Sequence, residues 1–484
     1  MPSTRRLRIQ SVGNATAESD LLAQGMRDIQ RELKLPLAFP AEVEAAARQA
    51  AAAPRMPALD RREIPLVTID PAESMDLDQA LHVERSGDGY RVHYAIADVA
   101  AFVSAGDPID REANRRGETL YGANAKIPLH PKVLSEGAAS LLPGQPRPAL
   151  LWTIELDAAG AMGAVEVRRA QVCSRARFDY QGVQQRIDAG HAEPLWALLR
   201  EVGELRRQRE RSRGGVSLPL PEQEIDVDGE RWSLTYRARL PVEDWNEQIS
   251  LLTGMAAAQL MLKGEVGLLR TLPAPAPSAI ERLRLTARAL AIAWPPALGY
   301  ADFIRTLDPA NDAHVAMLTA CTTVLRGAGY AAFDGAPPAQ PRHSALAAEY
   351  AHATAPLRRL VDRYTGEVCV ALCAGQPVPA WVRQALPGLP ATMQTSGQRA
   401  RAYQRAVLDL AEAAVLAPRV GTIFSGAIVE RAPGDATRGV VMLRDPAIEA
   451  SVSARVELPL GADVRVTLVE ADPVRRITRF ELAG

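Results

Sequence analysis

A chain of 484 residues exceeds one ordinary domain, so two or three folded units are expected. Its 47% hydrophobic and 23% charged content excludes a disordered or fibrous polypeptide. The net charge of −1 excludes a uniformly basic nucleic-acid coat. Lys34, Lys126, Lys132 and Lys263 are the only lysines, however, so the positive charge is almost all arginine, whose planar fork grips phosphate through paired hydrogen bonds.

"SDLLAQGMRDIQRELKLP" predicts a first helix, with Ser19/Asp20 as cap, Leu22, Met26, Ile29 and Leu33 on one stripe, and Pro36 as stop. "FPAEVEAAARQAAAAP" predicts a second from Pro40 to about Ala53. The pair is helix-turn-helix-like only in the loose sense, because no groove-reading pattern accompanies it. From Arg61 the pattern turns to strands, in "IPLVTID", "QALHVER" and "YRVHYAIADVAAFV", with Gly87-Asp88-Gly89 as a hairpin turn. "LLWTIELDAAGAMGAVEVRRAQV" reads as a second hairpin. Long helices follow in "WALLREVGELRRQRERSR", "VEDWNEQISLLTGMAAAQLML", "IERLRLTARALAIAW" and "GQRARAYQRAVLDLAEAAVL", the last ended by Pro418. Beyond it, short strands suggest a small barrel of OB-fold size. The expected fold class is α+β in three units: a helical N-terminus over 1–60, a large domain over 61–417 and a barrel over 418–484.

No apolar run reaches membrane-spanning length, and "MPSTRRLRIQ" lacks the apolar core of a signal peptide. Four cysteines make no disulfide framework, and Cys369 and Cys373 read as buried thiols on one helix. A cytoplasmic protein without membrane contact is the expectation.

"VTIDPAESMDLDQAL" places Asp70, Asp76 and Asp78 on the turn after a buried strand closed by Pro71. Carboxylates so close repel one another unless a cation neutralises them. Oxygen ligands suit Mg²⁺, with Mn²⁺ as a substitute, and such ions complete their shell with water and substrate phosphate. A solvated, capped turn is the plain alternative for a D-x-D pair by itself. The spacing is not that of an EF-hand.

The surrounding text is more specific. "TIDPAESMDLDQAL", "YAIADVAAFVSAGDPIDREANRRGETLY" and "KIPLHPKVLSEGAASLLPGQPRPAL", with the distal block "HSALAAEYAHATAPLRRLVDRY", closely resemble the catalytic RNB domain of the ribonuclease II/ribonuclease R family. The resemblance runs from about Arg61 to Leu416, and the closing barrel is similar to the family's S1-type RNA-binding domain. It implies hydrolysis of single-stranded RNA from the 3′ end, processively and with divalent metal, to nucleoside 5′-monophosphates. Asp70, Asp76 and Asp78 match the first three of the family's four motif aspartates, and Gln79 stands where the fourth is usual. Asp76, Asp78 and Arg358 are thereby implied as catalytic, and Asp70, Asp76, Asp78 and Gln79 as the metal set, with a second ion weakened by Gln79. Arg358 matches the arginine that grips the scissile phosphate, with Arg359 beside it; Tyr121 matches the tyrosine on which the terminal base stacks. A salt bridge to Asp362 or Glu349 is the structural alternative for Arg358, and a core position that for Tyr121.

Three departures accompany the match. No aromatic occurs near "GEVGLLRTL", where one branch of the family clamps bases, and Gln404 stands where glutamate is common. The resemblance also implies cold-shock barrels ahead of the catalytic block; the helical periodicity here implies a different, wider entrance for RNA. His82, His93, His343 and His352 match no zinc spacing and read as structural. Two rival readings remain open: an RNB scaffold that binds RNA without turnover, and a helix-turn-helix regulator.

Overall fold

The computed structural model describes residues 7–12, 17–122, 126–190, 193–228 and 231–483; the first six residues of "MPSTRRLRIQ" lie outside them. Strand β1 (Leu7–Val12) precedes helices α1 (Ala17–Glu32) and α2 (Ala41–Ala52). The N-terminus is thus not purely helical, and α1 starts before Ser19, which places Ser19 and Asp20 in its first turn rather than at its cap. Each helix buries its stripe in a different core. Leu22, Met26 and Ile29 of α1 meet Val407, Leu410 and Ala411 of the long Leu389–Leu416 helix, whereas Val43 and Ala47 of α2 enter the core beneath the central sheet. Neither helix is left to read a groove as one half of a paired unit.

The central sheet is built from β2 (Val67–Ile69), β3 (Gln79–Ser86) and β4 (Gly89–Ala97). After helix α3 (Pro108–Arg116), strands β5 (Leu120–Tyr121) and β6 (Lys126–Ile127) form a separate two-stranded ribbon. Strands β7 (Pro146–Leu156), β8 (Met162–Cys173) and β9 (Ala176–Phe178) complete the sheet in the order β8-β7-β4-β3-β2-β9. The β3–β4 hairpin turns at Gly87, whose φ of 58° suits a residue without a side chain.

Side chains alternate across β4 and β7, so both faces of the sheet are apolar. Tyr94, Ile96, Trp152 and Ile154 face helices α4 (Tyr180–Asp188), α5 (Pro194–Ser212) and, after the hairpin β10 (Glu222–Asp228) and β11 (Arg231–Arg237), α6 (Pro241–Lys263). Ala95, Ala97 and Leu151 face α2 and Leu77. Strand β1 joins β10 in parallel, which ties the N-terminal segment to the large domain. The hairpin β10–β11 is a second feature not foreseen from sequence. The Leu389–Leu416 helix also begins before the expected Gly397.

Five strands, Ile423–Ala432, Asp435–Leu443, Ile448–Ser453, Asp463–Asp472 and Ile477–Leu482, close the C-terminal barrel around Ile428, Val441, Leu468 and Phe480. The α+β architecture and the closed barrel are therefore as expected. All four cysteines are free; Cys369 is buried and Cys373 half-buried. Among the described residues, no helix is long and apolar enough to cross a membrane.

Candidate active site

The acid turn begins where Pro71, without an N–H, ends β2. Asp70 still donates its backbone N–H to the Phe178 carbonyl of β9 at 3.1 Å. At the other end Asp78 accepts from the Ala97 N–H at 2.9 Å, so the turn is anchored in the sheet on both sides. Between these anchors Ser140 fastens the loop, accepting from the Leu77 N–H at 3.0 Å and donating to the Met75 carbonyl at 2.6 Å. Leu77 plugs into the core, which fixes its neighbours Asp76 and Asp78 at the core's edge.

Backbone hydrogen bonds hold the distal block to the segment before β5, and one further bond takes it to the acid turn. Thr119 donates to the Arg358 carbonyl at 2.9 Å, and Leu360 to the Gly117 carbonyl at 3.0 Å. The Leu357 N–H donates to Asp78 Oδ1 at 2.8 Å. Arg358 Nε then lies 3.5 Å from Asp78 Oδ2, with its side chain 43% exposed. Arg358 therefore pairs with Asp78 of the acid turn, not with Asp362 or Glu349.

Asp362 holds Arg359 instead. Its carboxylate takes Arg359 Nε at 2.9 Å and Nη2 at 2.8 Å, and also the Ala355 N–H at 2.7 Å. The Arg359 fork is thus engaged within the 355–362 bend, and Arg358 is the more outward of the two arginines. Tyr121, on the edge of the β5–β6 ribbon, is 38% exposed, which disposes of the core alternative.

Burial controls the acids. Asp78, only 3% exposed, has its carboxyl pushed up to about 8 by burial, against the opposing pull of Arg358 and the Leu357 N–H. Burial likewise raises Asp70 to about 7, again opposed by Arg358, with the charge of Asp76 adding to the rise. Asp70 Oδ2 is buried without a hydrogen-bond partner. Arg358 thus acts on both acids, although some 280 residues separate it from them in the chain (279 from Leu357 to Asp78).

Two members of the expected metal set behave differently. Asp76 Oδ1 is 2.7 Å from Lys126 Nζ, which also sits 2.9 Å from Glu136 Oε1. Gln79 Nε2 donates to the Thr354 carbonyl of the distal block. Among the described residues, no three His, Cys, Asp or Glu side chains converge as they would around a metal ion. The set of four is therefore not gathered on one point: Asp76 is drawn to Lys126, and the Gln79 amide works as a strut. Among the described residues, the histidines join no group that could hold a metal ion. Burial lowers His343 to about 4 and His352 well below its ordinary value, and His352 Nδ1 meets Tyr330 OH at 2.7 Å.

Sequence reasoning passes over Ser140, Lys126 and Glu136. Ser140 lies in "EGAASLLP" and Lys126 in "GANAKIP", both inside or beside quoted blocks, but nothing in a serine or lysine alone signals a turn seated on it.

The sequence matches the RNB domain model over residues 59–372 and the RNase II-type exonuclease C-terminal S1 domain model over 422–483. Ribonuclease R of Escherichia coli (strain K12) is 29% identical over 326 residues, covering 63% of this chain and 39% of that protein, so the match spans about two fifths of the relative's length. The apo form of Mycoplasma genitalium RNase R has the same fold, with a TM-score of 0.85 at 19% identity over 96% of this chain and 78% of that one. Yeast Ssd1, described as a pseudonuclease, also shares it, with a TM-score of 0.70 at 15% identity over 89% of this chain and 55% of that one. With the RNB domain accounting for most of its length and the S1 barrel following in order, the chain belongs to the RNB-domain family.

Proposed function

We propose that this chain is a 3′→5′ exoribonuclease that hydrolyses single-stranded RNA processively to nucleoside 5′-monophosphates with Mg²⁺ or Mn²⁺. The observation that carries the reading is the joining of Arg358 to the Asp70–Asp78 turn, by the Leu357 N–H on Asp78 Oδ1 and by Arg358 Nε 3.5 Å from Asp78 Oδ2, with Tyr121 exposed on the adjoining ribbon.

The acids fit a divalent cation in one respect and depart in another. Asp70 has an orphaned buried oxygen, and both Asp70 and Asp78 resist ionisation through burial, a cost that a bound cation would relieve. Asp76 and Gln79 are engaged elsewhere, so Asp70 and Asp78 are the residues that would hold the ion. Such an ion, when bound, polarises the phosphate and lowers the pKa of water. The chain's own groups do the rest. The Arg358 guanidinium meets charge developing on the phosphate oxygens, and its Asp78 partner keeps it aimed across the acid turn. Asp362 holds Arg359 and the Ala355 N–H, so the bend presenting Arg358 is preorganised. The Tyr121 ring offers a stacking face for the terminal base, worth roughly 1–3 kcal/mol. On the C-terminal barrel Arg465 adds phosphate attraction away from the chemistry, whereas Arg431, Arg438 and Arg479 are balanced by Glu457, Asp435 and Glu470.

Two observations favour a second reading, an RNB scaffold that holds RNA without turnover: Gln79 stands where the family usually has an acid, and a pseudonuclease shares the fold. Single-stranded RNA labelled at either end separates the two. The enzyme releases a labelled mononucleotide at once from the 3′-labelled strand and converts the 5′-labelled one to a short end product with few intermediates. A bound but intact RNA at every Mg²⁺ and Mn²⁺ concentration would establish the scaffold.

A further inference from the structure

Lys126 is the one lysine seated among the site's carboxylates, and nothing in the acid motif predicts it. The β5–β6 register sets it opposite Tyr121, so the ribbon that offers a stacking ring to RNA also carries this ammonium. Nζ lies 2.7 Å from Asp76 Oδ1 and 2.9 Å from Glu136 Oε1, and the side chain is 22% exposed. Glu136 is half-buried, with Lys132 Nζ a further 3.8 Å off its other oxygen. Two carboxylates in such a setting need a compensating cation nearby, and Lys126 is tethered there by the backbone.

Gln79 bears on the same balance independently. Its amide donates to the Thr354 carbonyl, which a carboxylate cannot do. The position usual for a fourth aspartate therefore carries no charge, and the Lys126 ammonium stands beside the same turn. Relative to a four-carboxylate turn, this site needs less added charge to be neutral. Convergence of three acids is lost for the same reason, since Asp76 faces its ammonium.

We propose that Lys126 is the resident cation of the site: its ammonium neutralises Asp76 and Glu136 in place of a second divalent ion, leaving Asp70 and Asp78 to take one. The inference rests on the exoribonuclease reading above and specifies how that site is charged. Its consequence is a chain that takes up a single divalent ion and responds to Mg²⁺ hyperbolically rather than sigmoidally. Lys126 is a positioning and charge-balancing residue, touching neither the phosphate nor water in this account.

The test counts ions on the full-length, metal-stripped protein, by calorimetric Mn²⁺ titration and by the loss of the free Mn²⁺ electron spin resonance signal, with a saturating nucleoside 5′-monophosphate present. Wild type and Lys126→Arg should each take one equivalent. Lys126→Met, which frees Asp76 and Glu136, should take two, and Lys126→Met combined with Asp76→Asn should return to one. Lys126→Gln serves the same purpose if the methionine variant does not fold. One equivalent in both neutral variants, two in wild type, or an extra ion that persists in the double variant would each overturn the role of Lys126. Uptake of no Mn²⁺ by a wild-type protein that leaves RNA intact would instead overturn the exoribonuclease reading.

Discussion

Replacing Asp78 with asparagine removes the charge from a buried carboxyl and sets an amide NH2 where Oδ2 faced Arg358 Nε, so the arginine loses its ion-pair partner. The asparagine Oδ1 can still accept from the Leu357 N–H, so the link between the acid turn and the distal block survives. What disappears is ionisation. A carboxyl held near 8 instead of its usual 3.8 costs roughly 6 kcal/mol more to ionise inside the fold than in water. Because the folded pKa is raised, the native state binds more protons than the unfolded chain between pH 4 and 8. Stability is therefore full below about pH 4 and is lost as pH rises through about 8, and Asp70, raised to about 7, adds to the same slope. Metal-free Asp78→Asn should thus melt a few degrees above wild type at pH 8 and close to it at pH 4, given about 1 °C per kcal/mol for a chain of this size. Added Mg²⁺ should narrow the gap at pH 8 by stabilising wild type. Turnover should fall by at least about 10³-fold, while affinity for long RNA changes less than about threefold because most phosphate contacts lie elsewhere. Melting by fluorimetry, single-turnover quench and filter binding read the three quantities. A variant that melts below wild type at pH 8, or that loses RNA binding along with turnover, would show that Asp78 is a structural acid and refute the reasoning.

Arg358→Ala should slow single-turnover cleavage by about 10²–10³-fold while leaving binding of long RNA nearly unchanged, as measured by rapid quench and filter binding; equal losses in both would reassign Arg358 to RNA holding. Tyr121→Ala should lengthen the smallest end product on a sequencing gel, because very short RNA depends on terminal stacking, and an identical ladder would remove Tyr121 from the RNA path. Gln79→Asp, which sequence alone would favour as a repair of the metal set, should instead lower stability by about 1–3 kcal/mol in denaturant melts, since it sets an acceptor against the Thr354 carbonyl. Unchanged stability with tighter Mg²⁺ activation would show that the amide strut carries no weight.

Much of this molecule is legible in its sequence. Alternating apolar residues in "YRVHYAIA" and "LLWTIEL" expose the central strands, and Gly87 marks their turn. The acid turn, Arg358 and Tyr121 are found because residue type and order carry the family signature. The hairpin of "EQEIDVDGERWSLTYR" escapes because its first strand offers only Ile225 and Val227 as apolar residues, too few for alternation to stand out, although Asp228-Gly229 is a hairpin signal. Strand β1 is not foreseen for a different reason: its partner β10 lies more than two hundred residues away, and no local pattern announces a parallel pairing. The same limit applies within the site. That Asp362 takes Arg359 and leaves Arg358 outward depends on which way one bend faces, and both arginines look alike in "APLRRLVD". Lys126 and Gln79 acquire meaning only through partners at Glu136, Asp76 and Thr354, set by tertiary contact and not by spacing.

The central claim is that the Asp70–Asp78 turn and Arg358 form a working hydrolytic site. It is tested most directly by incubating the metal-stripped full chain with single-stranded RNA, restoring Mg²⁺ and resolving the products by chromatography. The account predicts no product before the ion is added, nucleoside 5′-monophosphates afterwards, and none at any ion concentration from Asp78→Asn. Products ending in a 3′-phosphate, or equal turnover in the chelated protein, would contradict it.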